Sequence, residues 1–570
     1  MARGRHTACM LAMALPLALL TGARPAAAHT SGDPACYLPP FSPLVSPCVP
    51  HDTPAGSTAT VADLAFFAWQ EFIALNWVAM DPATSKVRGR AASPTDPSSG
   101  FFGVSPDSDG DFPLVVWQTY RHKNELFPAD GKTDPTFDSP LPNYRYTRQP
   151  TPAVGGPVPS FTLFNNLDET SQLGLDNMYA HASSEVQPPS SGAGAGPATG
   201  IRVAYEAKVN RAVFDYVNQR GFTNPANNYR TLNTALSNTG PVFYIGQPNS
   251  VAAQFAGICS TTSTQSIVML PCGDINVGGD AGEGAIEIKA AWRELTAVEA
   301  SSGRFFTRNV IFYTGPQASQ NYNNGVWGLV ALHIIHKTKS FPAFVFATWE
   351  QVDNYDDDAT GSEDPNPENL AFQNTGTPLA NIPVRRAHPI HSEVAATNDN
   401  VHAVFRAANP NTVWQYYKLI GVQATPVNPP AAGASSDELS YYYLANIMVE
   451  TNQPLQNFTG QIAGGVTANT NNVYLNGAAN PFQMGGCQGC HGFQAQYLGG
   501  DMSRLIAAAP QNSWTAESID VGATLSVKLY RKRSLDVSLP KRVSLPGGVS
   551  RYHFRHGGTV LPGMPKGGRY

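Results

Sequence analysis

The sequence predicts an α+β fold in which an antiparallel, β-rich body precedes a C-terminal helical segment. Short apolar runs with period-two alternation follow one another closely between residues 284 and 352, as expected for neighbouring antiparallel strands. Apolar residues at helical spacing occur before this block, at 61–80, and after it, at 435–454. With 570 residues, 42% of them hydrophobic, the chain can bury a sizeable core.

The predicted strands are concentrated in the middle of the chain. In GAIEIKAAWREL (284–295) the apolar side chains from Ile286 to Trp292 alternate with Glu287 and Lys289, which predicts one apolar and one polar sheet face. The other segments with a strand pattern are PLVVWQTY (113–120), IRVAYEAKV (201–209), RFFTRNVIFYTG (304–315), VWGLVALHIIHKT (326–338), AFVFATWEQV (343–352) and VWQYYKLIGVQ (413–423).

Three segments carry a helical pattern. VADLAFFAWQEFIALNWVAM (61–80) is rich in aromatic residues, so we expect a buried helix. The strand at 201–209 is followed by a pattern that ends at Gly221, a residue type that favours helix termination. SSDELSYYYLANIMVETNQP (435–454) opens with two serines that are N-cap candidates and extends as a helix towards the last two cysteines.

The N-terminus has the pattern of a secretory signal peptide. Arg3 and Arg5 form a basic start, Ala8–Leu20 is apolar, and Ala26 and Ala28 occupy the small-residue positions of a cleavage site. We therefore expect an exported protein that is periplasmic or secreted. No later stretch reaches about 18 uninterrupted apolar residues, so no transmembrane segment is expected in the mature chain.

The chain divides into five predicted parts. These are a signal peptide (1–28), a Pro-rich leader tied by a disulfide bond (29–60), the α+β body (61–430), a helical segment (431–520) and a basic, disordered tail (521–570).

The formal charge of −5 hides an uneven distribution. Of the 37 Lys and Arg residues, three lie in 1–28 and nine in 531–570, whereas one of the 42 Asp and Glu residues lies in these two parts. Residues 29–530 therefore carry 25 basic and 41 acidic side chains, a formal charge of −16. Such a surface disfavours nucleic acid as a partner and is compatible with a basic redox partner.

Four cysteines of the exported chain are expected to form two local disulfide bonds. Cys36 and Cys48 lie close together in sequence, as do Cys259 and Cys272, and both pairs are in Pro-, Ser- and Thr-rich segments. Other pairings are compatible with the sequence. The local assignment leaves the two cysteines near the C-terminus for another purpose.

The stretch GGCQGCHG (485–492) contains these cysteines in a C-x-x-C-H motif. The spacing suits covalent haem c, because the thiols of Cys487 and Cys490 can add to the two haem vinyl groups and His491 can then supply an axial nitrogen to the iron. Export supports this interpretation, since c-type haem is attached outside the cytoplasmic membrane. The sequence therefore predicts one covalent haem c, with His491 as the proximal ligand.

Two cysteines at this spacing also occur in structural zinc sites and in thioredoxin-like sites. A structural zinc site needs further ligands nearby, and no second C-x-x-C follows. A thioredoxin-like site needs a preceding strand in a βαβ unit, whereas GAANPFQMGG precedes the motif. A chance occurrence remains open, because the motif fixes only three positions.

The distal side of the haem is left open by the sequence. Met502 follows His491 by only 11 residues, and Met564 lies in the Met-Pro loop LPGMPKG of the tail. His333, in ALHIIHK, is a third candidate ligand. An open distal site is the fourth possibility.

Scattered blocks resemble a family of exported bacterial c-type cytochromes that have a single C-x-x-C-H near the C-terminus and a large, uncharacterised N-terminal body. The blocks, within residues 60–505, are FFAWQEFIALNW, IKAAWREL, GLVALHIIHKT, FATWEQVDN and LANIMVET. The resemblance implies a secreted haem-c protein and identifies no reaction. The tail after about residue 520 lies outside it.

Candidate catalytic groups in the body also suit purely structural roles. His333 and His336 face opposite sides if their segment is a strand, so they would not bind one metal together. Glu287 and Glu350 are expected on neighbouring strands with Asp353 close by, which suits acid–base chemistry, although a polar sheet face is the commoner reason for such a pattern. The catalytic residues therefore remain unknown.

Three functions are compatible with these features. The first is a periplasmic mono-haem c-type cytochrome that transfers electrons to or from an unidentified redox partner. The second is a haem-c oxidoreductase with an open distal site that acts on peroxide, oxygen or an organic substrate. The third is a ligand-binding protein with a structural haem.

Overall fold

The structure is a computed structural model that describes most of the body and part of the C-terminal segment. The described residues are 44–127, 134–146, 203–222, 259, 268–314, 321–354, 388–449, 461–462, 466–467, 472–473, 475, 482–492, 501–507, 516–519, 542–544 and 550–552, except 94, 109, 142, 296 and 447. The predicted signal peptide, Cys36 and Met564 lie outside them.

The described residues form short helices and two longer ones around a central sheet. The α-helices are α1 (Val61–Leu75), α2 (Pro82–Ser85), α3 (Lys123–Leu126), α4 (Arg211–Gln219), α5 (Asp280–Glu283), α6 (Ala297–Ser301), α7 (Ser392–Ala408), α8 (Ser436–Tyr442), α9 (Gly486–His491) and α10 (Arg504–Ala507). The strands are β1 (Arg121–His122), β2 (Asn143–Tyr146), β3 (Val203–Val209), β4 (Ile286–Glu294), β5 (Thr307–Thr314), β6 (Asn321–His336), β7 (Val345–Gln351), β8 (Tyr417–Gln423), β9 (Gln461–Ile462), β10 (Val466–Thr467), β11 (Asn472–Val473), β12 (Phe482–Gln483), β13 (Ala516–Ile519), β14 (Arg542–Ser544) and β15 (Ser550–Tyr552).

A seven-stranded antiparallel sheet is the centre of the fold, which agrees with the predicted α+β class. Its order is β1-β3-β4-β6-β7-β8, and β5 pairs with the N-terminal part of β6. β6 pairs with β5 before it and with β7 after it, as the closely spaced apolar runs predict, whereas β4 pairs with β6 instead of with β5. The long strand β6 is the central strand of the sheet, because β4, β5 and β7 all pair with it.

Helix α1 covers one face of the sheet with aromatic side chains. It begins at Thr60, whose hydroxyl accepts from the main-chain N–H of Asp63 while the Asp63 carboxylate accepts from the N–H of Thr60. The ring of Phe72 lies 5.2 Å from that of Trp349, and Trp69 lies 6.0 Å from the same ring. We call the opposite side, which faces away from α1, the second face.

The second face is covered by the segments that follow β8. His333 and Thr348 are paired across β6 and β7 and point to this side. Asn446 donates to the Thr348 hydroxyl at 2.6 Å, and the Tyr205 hydroxyl lies 3.0 Å from the Met448 carbonyl oxygen. The polar face predicted from Glu287 and Lys289 is therefore not a solvated one: Glu287 is buried.

The disulfide bond predicted between Cys259 and Cys272 is present, with a Cα–Cα separation of 5.6 Å. Cys48 is also disulfide-bonded, and its predicted partner Cys36 is outside the described residues. Among the helices that the structure describes, none is long and apolar enough to cross a membrane.

Three local predictions were wrong in type or in extent. Residues 113–120 form a single bridge at Val115 and a 3₁₀-helix rather than a strand, because Gln118 folds back to accept from the Val115 N–H at 3.2 Å. The first helix ends at Leu75, where the Asn76 side chain donates to the Phe72 carbonyl. Helix α8 ends at Tyr442, well before residue 454.

Candidate haem-attachment site

Helix α9 carries the C-x-x-C-H motif and presents its three functional side chains on one side. Cys487, Cys490 and His491 have the spacing i, i+3 and i+4, which brings side chains together on a helix face. All three are half-buried, whereas Gln488 and Gly489 between the cysteines are buried against the body. The motif is thus anchored by its inner side and leaves the two thiols and the imidazole partly accessible.

Two glycines let the start of α9 approach the body closely. Gly486 has φ +65°, and a Cβ there would lie 2.4 Å from the Gln423 side-chain nitrogen and 2.8 Å from the Leu444 carbonyl oxygen. A Cβ at Gly485 would lie 2.8 Å from the Tyr442 ring. Glycine therefore suits both positions, because the start of α9 lies too close to the body to leave room for a side chain.

Gln488 fixes the inner side of α9 to the second face. Its main-chain N–H donates to the Gln423 side-chain oxygen at 3.0 Å. Its side-chain nitrogen lies 3.4 Å and 3.3 Å from the carbonyl oxygens of Ala343 and Phe344. Because Gln423 is on β8 and Phe344 directly precedes β7, the motif is tied to two strands of the sheet.

The orientation of the His491 ring is set by a main-chain carbonyl. Nδ1 of His491 lies 2.6 Å from the carbonyl oxygen of Met502, which can only accept, so Nδ1 is the nitrogen that carries the proton. In a neutral imidazole the lone pair available to a metal is then on Nε2. The ring also packs against Phe346 of β7, with 4.7 Å between centroids.

The turn that supplies this carbonyl is anchored by a buried ion pair. Lys337, which directly follows β6, lies 2.5 Å from the Asp501 carboxylate, and both side chains are fully buried. The same carboxylate oxygen accepts from the Leu270 N–H at 2.7 Å. Burial raises the pKa of Asp501 to about 6, although Lys337 and the hydrogen bonds act in the opposite direction.

The candidate distal ligands are in different positions relative to His491. Met502 is buried, and its carbonyl oxygen faces Nδ1, the nitrogen opposite the one that would bind iron. This geometry argues against Met502 as the distal ligand. Its main chain lies beside Nδ1 of His491, whereas a distal ligand would have to reach the far side of the haem from this ring. Met484 is a packing residue whose sulfur accepts from the Val427 N–H at 3.3 Å.

His333 is on the second face, close to the motif. The prediction that His333 and His336 face opposite sides of a strand is confirmed, because β6 extends to His336. Burial lowers the pKa of His333 to about 3, with smaller contributions from Lys289 and from His491. His491 is thus near enough to influence it, and His333 is neutral at physiological pH.

The predicted cluster of carboxylates is not formed. Glu287 and Glu350 are on β4 and β7, which flank β6 instead of pairing with each other, and they are opposite Ile335 and Ala331 of β6. Asp353 forms a buried ion pair with Arg304. The pattern of alternating residues could not reveal this, because strand order is a property of the whole sheet.

The side chains on α9 are compatible with the donor set that covalent haem c requires. In the part of the chain that the structure describes, no group of three or more His, Cys, Asp or Glu side chains is arranged to hold a metal ion. Haem c requires only two accessible thiols and one oriented imidazole, and these are present on α9.

Comparison with known proteins adds no relative. The chain matches no family model, no curated protein and no solved structure.

Proposed function

We propose that this protein is an exported, mono-haem c-type cytochrome that transfers electrons, of the bacterial kind that its sequence blocks resemble. The observation that carries the proposal is the arrangement of α9: Cys487, Cys490 and His491 share one half-buried face, and the Met502 carbonyl holds Nδ1 of the imidazole. Two thiols and an imidazole in this order are what c-type haem attachment uses.

Each residue of the motif has a defined role in this proposal. Cys487 and Cys490 form the two thioether bonds. His491 provides Nε2 as the proximal ligand, while the hydrogen bond from Nδ1 increases the basicity of the ring and fixes its plane. The haem, when bound, supplies reversible one-electron reduction of its iron.

The body provides a rigid support for the motif. Gln488 and Gln423 connect α9 to β7 and β8, and the contact of Gly486 with Leu444 excludes a side chain from the interface. A rigidly held site requires little reorganisation when its charge changes, which suits electron transfer. The acidic composition of residues 29–530 favours a basic redox partner.

Haem attachment is tested by replacing cysteines in the full chain, expressed together with a c-type maturation system. We expect the double variant C487A/C490A to lose haem stain on a denaturing gel, while each single variant keeps at most one thioether. The matched control is C259A/C272A, which removes the other described cysteine pair and should keep the stain. An unstained wild-type band in the periplasmic fraction would contradict the proposal.

The oxidised and reduced absorption spectra then separate the three functions. A six-coordinate, low-spin spectrum with reversible reduction supports electron transfer. A high-spin spectrum that changes with cyanide or peroxide supports the oxidoreductase instead. Haem that cannot be reduced supports a structural role.

A further inference from the structure

Backbone strain is concentrated around α9. Among the residues that the structure describes, the non-glycine residues with positive φ are Lys86 (60°), Phe344 (67°), Asp501 (52°) and Met502 (68°). Phe344 accepts from Gln488, and Met502 accepts from His491, so three of the four belong to the surroundings of the motif. Residues with a Cβ adopt this conformation only where surrounding contacts enforce it.

Asp501 and Met502 are consecutive residues with positive φ, so the turn that they form needs contacts that hold it in place. The anchor is Lys337, whose own main chain is fixed on both sides: its N–H donates to the Ala285 carbonyl at 2.9 Å, and its carbonyl accepts from Gly273 at 2.8 Å. Its ammonium group then holds Asp501 at 2.5 Å. The position of the turn is thereby fixed relative to the end of β6.

A second contact fixes the same carboxylate from another direction. Leu270 donates to it at 2.7 Å, and Leu270 is two residues before Cys272 of the disulfide bond. With the ammonium on one side and this N–H on the other, the Asp501 side chain has little freedom. Met502 follows it directly, so the direction of the Met502 carbonyl depends on both contacts.

We propose that Lys337 and Asp501 are a positioning pair that holds the Met502 carbonyl against Nδ1 of His491 and so sets the tautomer and donor strength of the proximal imidazole. Both residues act on the imidazole through the Met502 carbonyl. The effect of the pair on the donor strength of His491 towards iron rests on the proposed function. The effect of the pair on the tautomer of His491 does not, because it needs no haem.

The first test measures the haem-loaded full chain. Asp501→Asn removes the charge without changing the side-chain shape, and asparagine tolerates positive φ, so the turn can still form. We expect the midpoint potential to rise relative to wild type, because a weaker Nδ1 hydrogen bond makes the imidazole a poorer donor to the iron. The matched control is Glu299→Gln, which breaks an equally buried pair with Arg293 and should leave the potential unchanged.

The second test needs no haem. In haem-free full chain labelled with ¹⁵N-histidine, the His491 signals, assigned by their loss in His491→Gln, should report the Nδ1–H tautomer in wild type and in Glu299→Gln. In Asp501→Asn they should shift towards a mixture of tautomers. The double variant K337M/D501N, which leaves no unpaired buried charge, should show the same shift if Asp501→Asn folds poorly.

The two arms separate failure of the inference from failure of the proposed function. An unstained wild type refutes haem binding, and the histidine signals still decide the role of the pair. A wild-type tautomer in both Asp501 variants overturns the positioning role. An unchanged midpoint potential in haem-loaded Asp501→Asn overturns it as well, because a weaker Nδ1 hydrogen bond has to lower the donor strength of the imidazole.

Discussion

Glu71 of α1 and His336 of β6 form a fully buried pair in which both ring nitrogens meet acceptors. Nδ1 contacts the Glu71 carboxylate and Nε2 contacts the main-chain carbonyl of Glu283. An imidazole can donate to both only when it is protonated, unless Glu71 itself carries a proton. Burial alone would lower the pKa of His336, but Glu71 and the two hydrogen bonds outweigh it and raise the pKa.

The stability of the protein should therefore depend on His336 more strongly in acid than in base. A raised folded-state pKa means that the contribution of His336 is fully present below its usual value of 6.5 and is lost as the pH rises through the higher value. We expect His336→Gln to lower the thermal midpoint most at about pH 5 and less at about pH 9. A difference that grows with pH would contradict this assignment.

His402 should show the opposite pH dependence. Burial lowers its pKa to about 4, against the hydrogen bond to the Tyr417 carbonyl. The unfolded chain binds a proton below about pH 6.5 while the folded chain does not, so stability is lost as the pH falls towards 4, by on the order of 3 kcal/mol. In His402→Gln the unfolding free energy should vary less over this range. Parallel pH profiles for variant and wild type would rule out the shift.

Period-two and helical patterns were sufficient for most of the sheet and for α1. They failed for α7, which was not predicted, because TNDN (397–400) interrupts its apolar pattern with residues of low helix propensity. In the structure Asn398 is used within the core: it accepts from Trp69 at 3.0 Å and donates to the Leu419 carbonyl at 2.8 Å. A side chain that bridges a helix and a strand distant in sequence leaves no local signal.

Gly486 should tolerate substitution much less well than Gly433. Both have positive φ, at 65° and 83°, so alanine costs about 1–2 kcal/mol of backbone energy at either site. At Gly433 a Cβ meets nothing within 4 Å, whereas at Gly486 it would lie 2.4 Å from the Gln423 side chain. We expect Gly486→Ala alone to loosen α9 from the body, as faster amide exchange at Gln488. Equal exchange rates in Gly486→Ala and Gly433→Ala would show that the close approach is unimportant.

The motif can be read directly from the sequence because it consists of residue types at a fixed spacing, and its function in haem attachment stays a prediction. The environment of the motif cannot be read in this way. The His491 imidazole is held by a main-chain carbonyl, which no residue type encodes, and the anchor of that carbonyl, Lys337, precedes Asp501 by 164 residues. The role of Gln488 as a connector is equally invisible, because the positions between the two cysteines are variable in the chemistry of attachment.

The distal ligand can be identified from the spin state of three variants of the haem-loaded chain. His333 is the candidate to test first, because it is on the second face near His491 and its lowered pKa keeps the imidazole neutral, the form that can bind iron. We expect His333→Leu to become high-spin and to gain cyanide binding. Met502→Leu should remain low-spin, since it keeps the carbonyl that faces Nδ1.

One control and the third candidate complete this comparison. His402→Leu removes another buried histidine, one that lies against Tyr417 and not at the motif, and should leave the spectrum unchanged. Met564→Leu tests the Met-Pro loop of the tail. A high-spin spectrum in that variant alone would identify Met564, and not His333, as the ligand. If the wild type is already high-spin and binds cyanide, and none of the substitutions alters this, the distal position is open. The oxidoreductase function would then account for the haem better than electron transfer, because an open coordination position is what a substrate such as peroxide requires.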